Sequence, residues 1–133
     1  MALPNPVIEA ELWSVGASPA YSMKSTQALL DALTAINRAY LAEHQAPRLY
    51  QSGVRYQRER GRESWRAVPA ILRAGFGDCE DLAAWRAAEL QKQGKRARAV
   101  LVRVAPRLMH VVVERGGGRF EDPSKVLGMK GEA

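Results

Sequence analysis

A single cysteine in 133 residues, Cys79, leaves no partner for an internal disulfide, so nothing in the chain calls for an oxidising compartment. Histidine is nearly as scarce, with His44 and His110 the only two. No run approaches the roughly 20 consecutive apolar residues that a bilayer-spanning helix needs, which argues against a membrane protein. The first 23 residues hold neither Lys nor Arg, so the basic start of a secretory leader is missing and a cytoplasmic location is expected. Internal repeats and low-complexity tracts are absent, as are helix-turn-helix, zinc-finger and RNA-binding signatures.

What is there fits one ordinary folded unit. With 47% apolar and 26% charged residues the chain is no disordered segment. Its length suits one domain over 1–133 with a real core, not two. The net charge of +6 is densest at Arg55, Arg58, Arg60, Arg62 and Arg66, interrupted by Glu59 and Glu63. Such a segment, with Tyr56 and Trp65 as stacking partners, has the parts to track a phosphate backbone. Without a supporting motif it reads as a solvated, partly self-paired surface stretch, and nucleic acid is not the expected partner.

Residues 1–21 carry Pro4, Pro6, Gly16 and Pro19, with Trp13 in a short alternating stretch. They read as an extended arm or short strand. From Ser25 to His44, Leu29, Leu30, Leu33, Ile36, Tyr40 and Leu41 recur at three and four, the pattern of an amphipathic helix. Ser22, Ser25 or Thr26 would cap it, and it ends before Pro47. Trp65 to Ala74 reads as a short helix closing at Gly75, and residues 124–133 as a C-terminal tail.

The run Gly77-Asp78-Cys79-Glu80-Asp81-Leu82-Ala83 opens the helix that matters. Asp78 suits an N-cap, and Asp81 favours the same end electrostatically. Cys79 then falls in the first turn, with Ala83, Ala87 and Leu90 on its face, small enough to press the helix onto a sheet. Gly94 closes the helix, with Lys92 in the last turn. A buried free cysteine is usually a small hydrophobe. Its place at a helix start favours a nucleophile instead. Glu80 and Asp81 oppose a thiolate, so activation falls mainly to a histidine, and the expected result is a lowered thiol pKa.

Two further strands carry that histidine. Arg98–Val104 alternates Val100, Val102 and Val104 with Ala99, Leu101 and Arg103. Met109–Arg115, the glycines 116–118 and Arg119–Asp122 then read as a hairpin. If the three glycines are the whole loop, Arg115 faces Arg119, and His110 and Asp122 are diagonal neighbours on one face. A two-residue loop without a bulge would throw them onto opposite faces. Taken singly, His110 is an ordinary strand residue and Asp122 a turn starter before Pro123. Together with Cys79 they complete the parts list for thiol acyl chemistry.

These residues carry a resemblance. GDCEDLA, the small residue Ala83, Gly94, the Ala97-Arg98 entry into the sheet, His110 in one strand and Asp122 in the next resemble the transglutaminase-like superfamily of cysteine enzymes. The likeness spans Trp65 to Pro123, under half the chain. Papain-like enzymes share the order, but they separate Cys from His by over about a hundred residues; here the intervals are 31 and 12. The NlpC/P60 hydrolases, with Ser or Gly after their Cys and often a third His, match less well.

The resemblance implies an α+β fold of transglutaminase-like type, a papain-like core with N-terminal helices and the cysteine helix packed on a small antiparallel sheet. It implies Cys79 as nucleophile, His110 as general base and acid, and Asp122 as orienter of the imidazole. The Cys79 backbone N–H is the obvious oxyanion donor. Tyr56, Gln57 and Trp65 are candidates for a second. No cofactor or metal is implied. A zinc site from Cys79, His110 and Asp122 offers only three ligands at scattered spacing, and calcium sites or accessory domains have no room. The expected function is cleavage of a protein or peptide amide through a Cys79 thioester. The alternative is a structural or assembly protein keeping the fold, with phage structural proteins as partners and a virion location.

Overall fold

A computed structural model describes residues 7–9, 19–58, 64–106 and 108–130. In chain order the described residues form β1 (Val7–Glu9), α1 (Pro19–Glu43), a 3-10 turn (Leu49–Gln51), β2 (Arg55–Tyr56), β3 (Ser64–Arg66), α2 (Val68–Ala74), β4 (Phe76–Gly77), α3 (Cys79–Lys92), β5 (Arg98–Ala105), β6 (Leu108–Gly116), β7 (Arg119–Glu121) and α4 (Pro123–Val126). Helices and a separate antiparallel sheet make this an α+β arrangement. None of the helices is long and apolar enough to cross a membrane, among the described residues.

α3 is the axis of the fold, and composition explains why. From Glu80 to Leu90 only Arg86 is not buried. One side, Ala83, Ala84, Ala87 and Leu90, meets Leu30 and Leu33 of α1 and Ala99, Val111 and Val113 of the sheet, with Cys79 packed against the same cluster. The other side, Leu82, Trp85 and Ala88, meets Val68 and Ile71 of α2, Leu49 and Leu41. Alanines on the sheet-facing side let helix and sheet approach closely. The second buried side went unseen in the sequence, because Trp85 and Leu82 lie off the stripe that Cys79 defines. Gly94, at φ +79°, ends the helix as a left-handed residue, with Gly94 N–H donating to Gln91 O and Lys95 N–H to Leu90 O.

α1 covers the core with the expected residues: Leu30, Leu33 and Leu41 are buried, and Leu29, Ile36 and Tyr40 pack beside them. It begins at Pro19, not at Ser22, Ser25 or Thr26, so the extended arm stops short of residue 21. Proline is well suited to a first helical position, where its missing N–H is not needed. The strand reading of the arm holds at Val7–Glu9, which pairs antiparallel with Ser64–Arg66; the Trp13 stretch lies outside the described residues.

Two readings are corrected. Trp65 belongs to β3, and the helix that follows starts at Val68. Pro69 is the reason: a helix begun at Trp65 would need the absent N–H of Pro69 to reach the Trp65 carbonyl. Residues 124–130 are not a loose tail. Pro123 and Ser124 are buried, α4 packs on α3, and Tyr56 N–H donates to Leu127 O at 3.0 Å.

The sheet order is β5-β6-β7, antiparallel throughout. Val102 faces His110 across β5 and β6. The second hairpin turns on Gly117 and Gly118, both at positive φ, with Gly116 opposing Arg119 and a bulge between Glu114 and Gly116. The three-glycine loop is thus a two-residue turn plus a bulge. The extra residue restores the deeper register, Glu114 to Phe120 and Val113 to Glu121, which keeps His110 and Asp122 on one face.

Gly77 pairs in parallel with Tyr56 and lies under the first turn of α3. A Cβ there would meet Asp81 Cβ and Leu82 Cδ2, each at 3.1 Å. Gly77→Ala is expected to cost about 1–3 kcal/mol by overpacking, measured as a lowered urea midpoint. An unchanged midpoint would mean that the α3 start gives way freely.

Candidate active site

The α3 start is fixed by a reciprocal cap. Asp78 Oδ1 accepts from the Cys79 N–H at 2.7 Å, and Asp81 Oδ2 accepts from the Asp78 N–H at 3.2 Å. The other Asp81 oxygen accepts from the Arg66 N–H at 2.7 Å, tying β3 to the same turn. This cap corrects one expectation. The Cys79 N–H, the obvious oxyanion donor by sequence, is already taken by Asp78.

The Cys79 thiol is half-buried and donates to Glu80 Oε2 at 3.3 Å. Cys79 packs against the cluster that holds Val111, the β6 residue after His110, and strand alternation turns the His110 side chain to the other face of β6. No hydrogen bond joins the thiol to the imidazole among the described residues. Burial, then the charges of Glu80 and Asp78, push the Cys79 thiol well above its usual range, and the Val111 N–H opposes this only in part. A thiol of lowered pKa was expected; the resting environment favours the neutral form.

His110 and Asp122 do come together. His110 Nε2 lies 2.9 Å from Asp122 Oδ2, with side chains 12% and 20% exposed. Asp122 follows β7 as the N-cap of α4, its Oδ1 accepting from the Lys125 N–H at 3.4 Å, so one carboxylate both caps a helix and holds the ring. With Nε2 engaged, Nδ1 is the nitrogen left for chemistry.

The three donor candidates divide. Tyr56 stands beside the cysteine turn: burial, then the charges of Asp78 and Cys79, push its hydroxyl up to about 12. Trp65 is buried in the cluster that Cys79 packs against, and its indole N–H finds no partner among the described residues. Gln57 is exposed, anchored by its backbone N–H to Gly77 O at 2.9 Å.

In the arginine segment, residues 59–63 lie outside the described residues. Arg55 and Arg58 are exposed, and Arg66 stacks on the Phe76 ring, 5.2 Å from its centre. The donor atoms that gather closely are those of Asp78, Cys79 and Glu80, all within 4.8 Å, not those of Cys79, His110 and Asp122. Their oxygens already serve the cap and the thiol, and the set carries no metal assignment.

Two features escaped the sequence. One is Glu80 turned inward against sulfur, although two flanking acids at a helix start usually face water. The other is Glu121, whose carboxylate accepts from Tyr50 Oη, Arg86 Nε and Arg115 Nη1, one residue before Asp122. Its signal was the alternation itself: Glu121 must face opposite to Asp122, toward α3 and Arg86. Comparison with known protein families, with curated proteins and with solved structures finds no match to this chain.

Proposed function

We propose that this chain is a cysteine acyl-transfer enzyme on a transglutaminase-like core, acting as a hydrolase of peptide or protein amides. The reading rests on the 2.9 Å contact of His110 on β6 with Asp122 after β7 and on Cys79 at the capped start of α3, with the pair on the β6 face opposite to the one Val111 and Val113 turn to α3. In this reaction the Cys79 thiol gives up its proton as the sulfur attacks the amide carbonyl, and His110, protonated on Nδ1, protonates the departing amine. Water then resolves the thioester with His110 as base. Asp122 holds the ring so that Nδ1 is presented to the reacting atoms. Since the Cys79 N–H is engaged, the Trp65 indole N–H, unpartnered among the described residues, and the Tyr56 hydroxyl are the better oxyanion donors.

A second reading has an observation of its own. A thiol held neutral beside two carboxylates suits a packing residue, and the protein would then be a virion or tail-assembly component working through its surfaces. p-Nitrophenyl acetate separates the two, since an activated ester needs no substrate recognition. The enzyme should show a burst of nitrophenolate and gain one acetyl group on Cys79, seen by intact mass and peptide mapping. Acetylation no faster than that of a free thiol, with no turnover, would favour the assembly role.

A further inference from the structure

Among the described residues, Glu80 is a buried acid without a cation. It is 6% exposed, its Oε2 accepts from the Cys79 thiol at 3.3 Å, and no ion pair joins it to Lys or Arg among the described residues. Around it stand further acids, Asp78 at the cap and Asp81 one residue on, with Tyr56 of β2 facing the same turn and Arg58 acting on Tyr56. On the β6 side the residue that meets this cluster is Val111, while His110, engaged by Asp122, lies on the other face of the strand. A second negative charge in this setting is strongly disfavoured.

We propose that Glu80 is the group that takes the Cys79 proton, so that the nucleophile forms as a thiolate hydrogen-bonded to a neutral carboxyl. The proposal rests on the reading of Cys79 as nucleophile and adds a catalytic residue to it. The S–H bond breaks, an O–H bond forms on Glu80, and the pair carries one negative charge before and after. The cost that an ionised Glu80 would impose on a thiolate disappears, because Glu80 is then an O–H donor to sulfur. The thiolate attacks carbon, and Glu80 keeps the proton until the thioester is resolved, then returns it to the released sulfur. His110 enters protonated on Nδ1, gives that proton to the leaving amine and recovers one from the water that attacks the thioester. Burial raises both groups, and at 3.3 Å the carboxyl and the thiol titrate as one pair.

Iodoacetamide alkylation of the full chain, followed against pH, tests this: sulfur displaces iodide, so the rate reports thiolate. Wild type should show two limbs, a low plateau from the proton-sharing pair and a rise where the pair loses its second proton. Glu80→Gln should lose the plateau, reacting about tenfold more slowly near about pH 6, with a single rise. Glu80→Asp, which withdraws the carboxyl by one methylene, should lower the plateau without removing it. A single rise in wild type that Glu80→Gln merely moves to lower pH would reduce Glu80 to a repelling charge and overturn the proposal. A plateau kept in both Glu80 variants and lost in His110→Ala would overturn it too, making the imidazole the acceptor while the enzyme reading stands. Free-thiol behaviour in all four proteins would end both.

Discussion

Cys79→Ala and His110→Ala should each remove hydrolysis of p-nitrophenyl acetate and of peptide anilides, by a factor on the order of 10⁴ to 10⁶. The two act as one unit, so the double variant should be no worse than either single one. Asp122→Ala should lose less, about 10²- to 10⁴-fold, the share of acid–base catalysis that depends on a correctly held ring. That variant also loses the α4 cap, so Asp122→Asn is the cleaner comparison: it keeps an oxygen for the Lys125 N–H while removing the charge opposite Nε2. Steady-state kcat and KM on all five variants check the order. Cys79→Ala with wild-type turnover would remove the thioester from the reaction. Asp122→Asn with full kcat would reduce the 2.9 Å pair to a structural contact.

Much of this site was legible because it depends on local rules. An aspartate before a cysteine in Gly-Asp-Cys-Glu-Asp predicts a helix cap, and the cap is there. Strand alternation predicts that residues twelve apart across a short loop meet on one face, provided the loop adds an odd residue. The Gly116 bulge supplies it. Elsewhere local rules compete. Apolar residues from Trp65 onward resemble a helix start, yet Pro69 cannot sit in such a helix, and Trp65 is free to pair with the arm. Side-chain choices that tertiary packing decides were out of reach. Glu80 has a rotamer toward water and one toward sulfur, and nothing in GDCEDLA separates them. The Asp78 oxygen is as able to leave the Cys79 N–H open as to bind it. What a sequence assigns to the cysteine turn is a set of groups; which groups are already engaged decides the chemistry.

The second large effect should come from Glu121, a residue that touches no reacting atom. Its carboxylate gathers Tyr50, Arg86 and Arg115, while Arg86 also lies over the Tyr50 ring, 4.8 Å from its centre, and reaches Glu89 at 3.2 Å. Glu89 in turn accepts from the Leu49 N–H at 2.7 Å. The 3-10 turn, α3, β6 and β7 are thereby held through one carboxylate that is 19% exposed. Glu121→Ala leaves two guanidinium groups and a phenol facing each other without their anion, so a loss of about 3 kcal/mol is expected, the scale for breaking a largely buried pair. Equilibrium urea unfolding measures it. Tyr50→Phe, which removes one donor and no charge, should cost about 1 kcal/mol. The pH dependence has a definite sign. Burial raises the Glu121 carboxyl, but the bonds from Arg86 and Tyr50 outweigh it and the net shift is downward from 4.5. A carboxyl lowered on folding stabilises the protein fully above its unfolded value, and that part is lost as pH falls through the folded value. Wild type should therefore lose stability below about pH 4.5 more steeply than Glu121→Gln. Parallel curves for the two proteins would show that Glu121 contributes no charge-dependent stability, and that the hold on β7 beside Asp122 comes from backbone pairing alone.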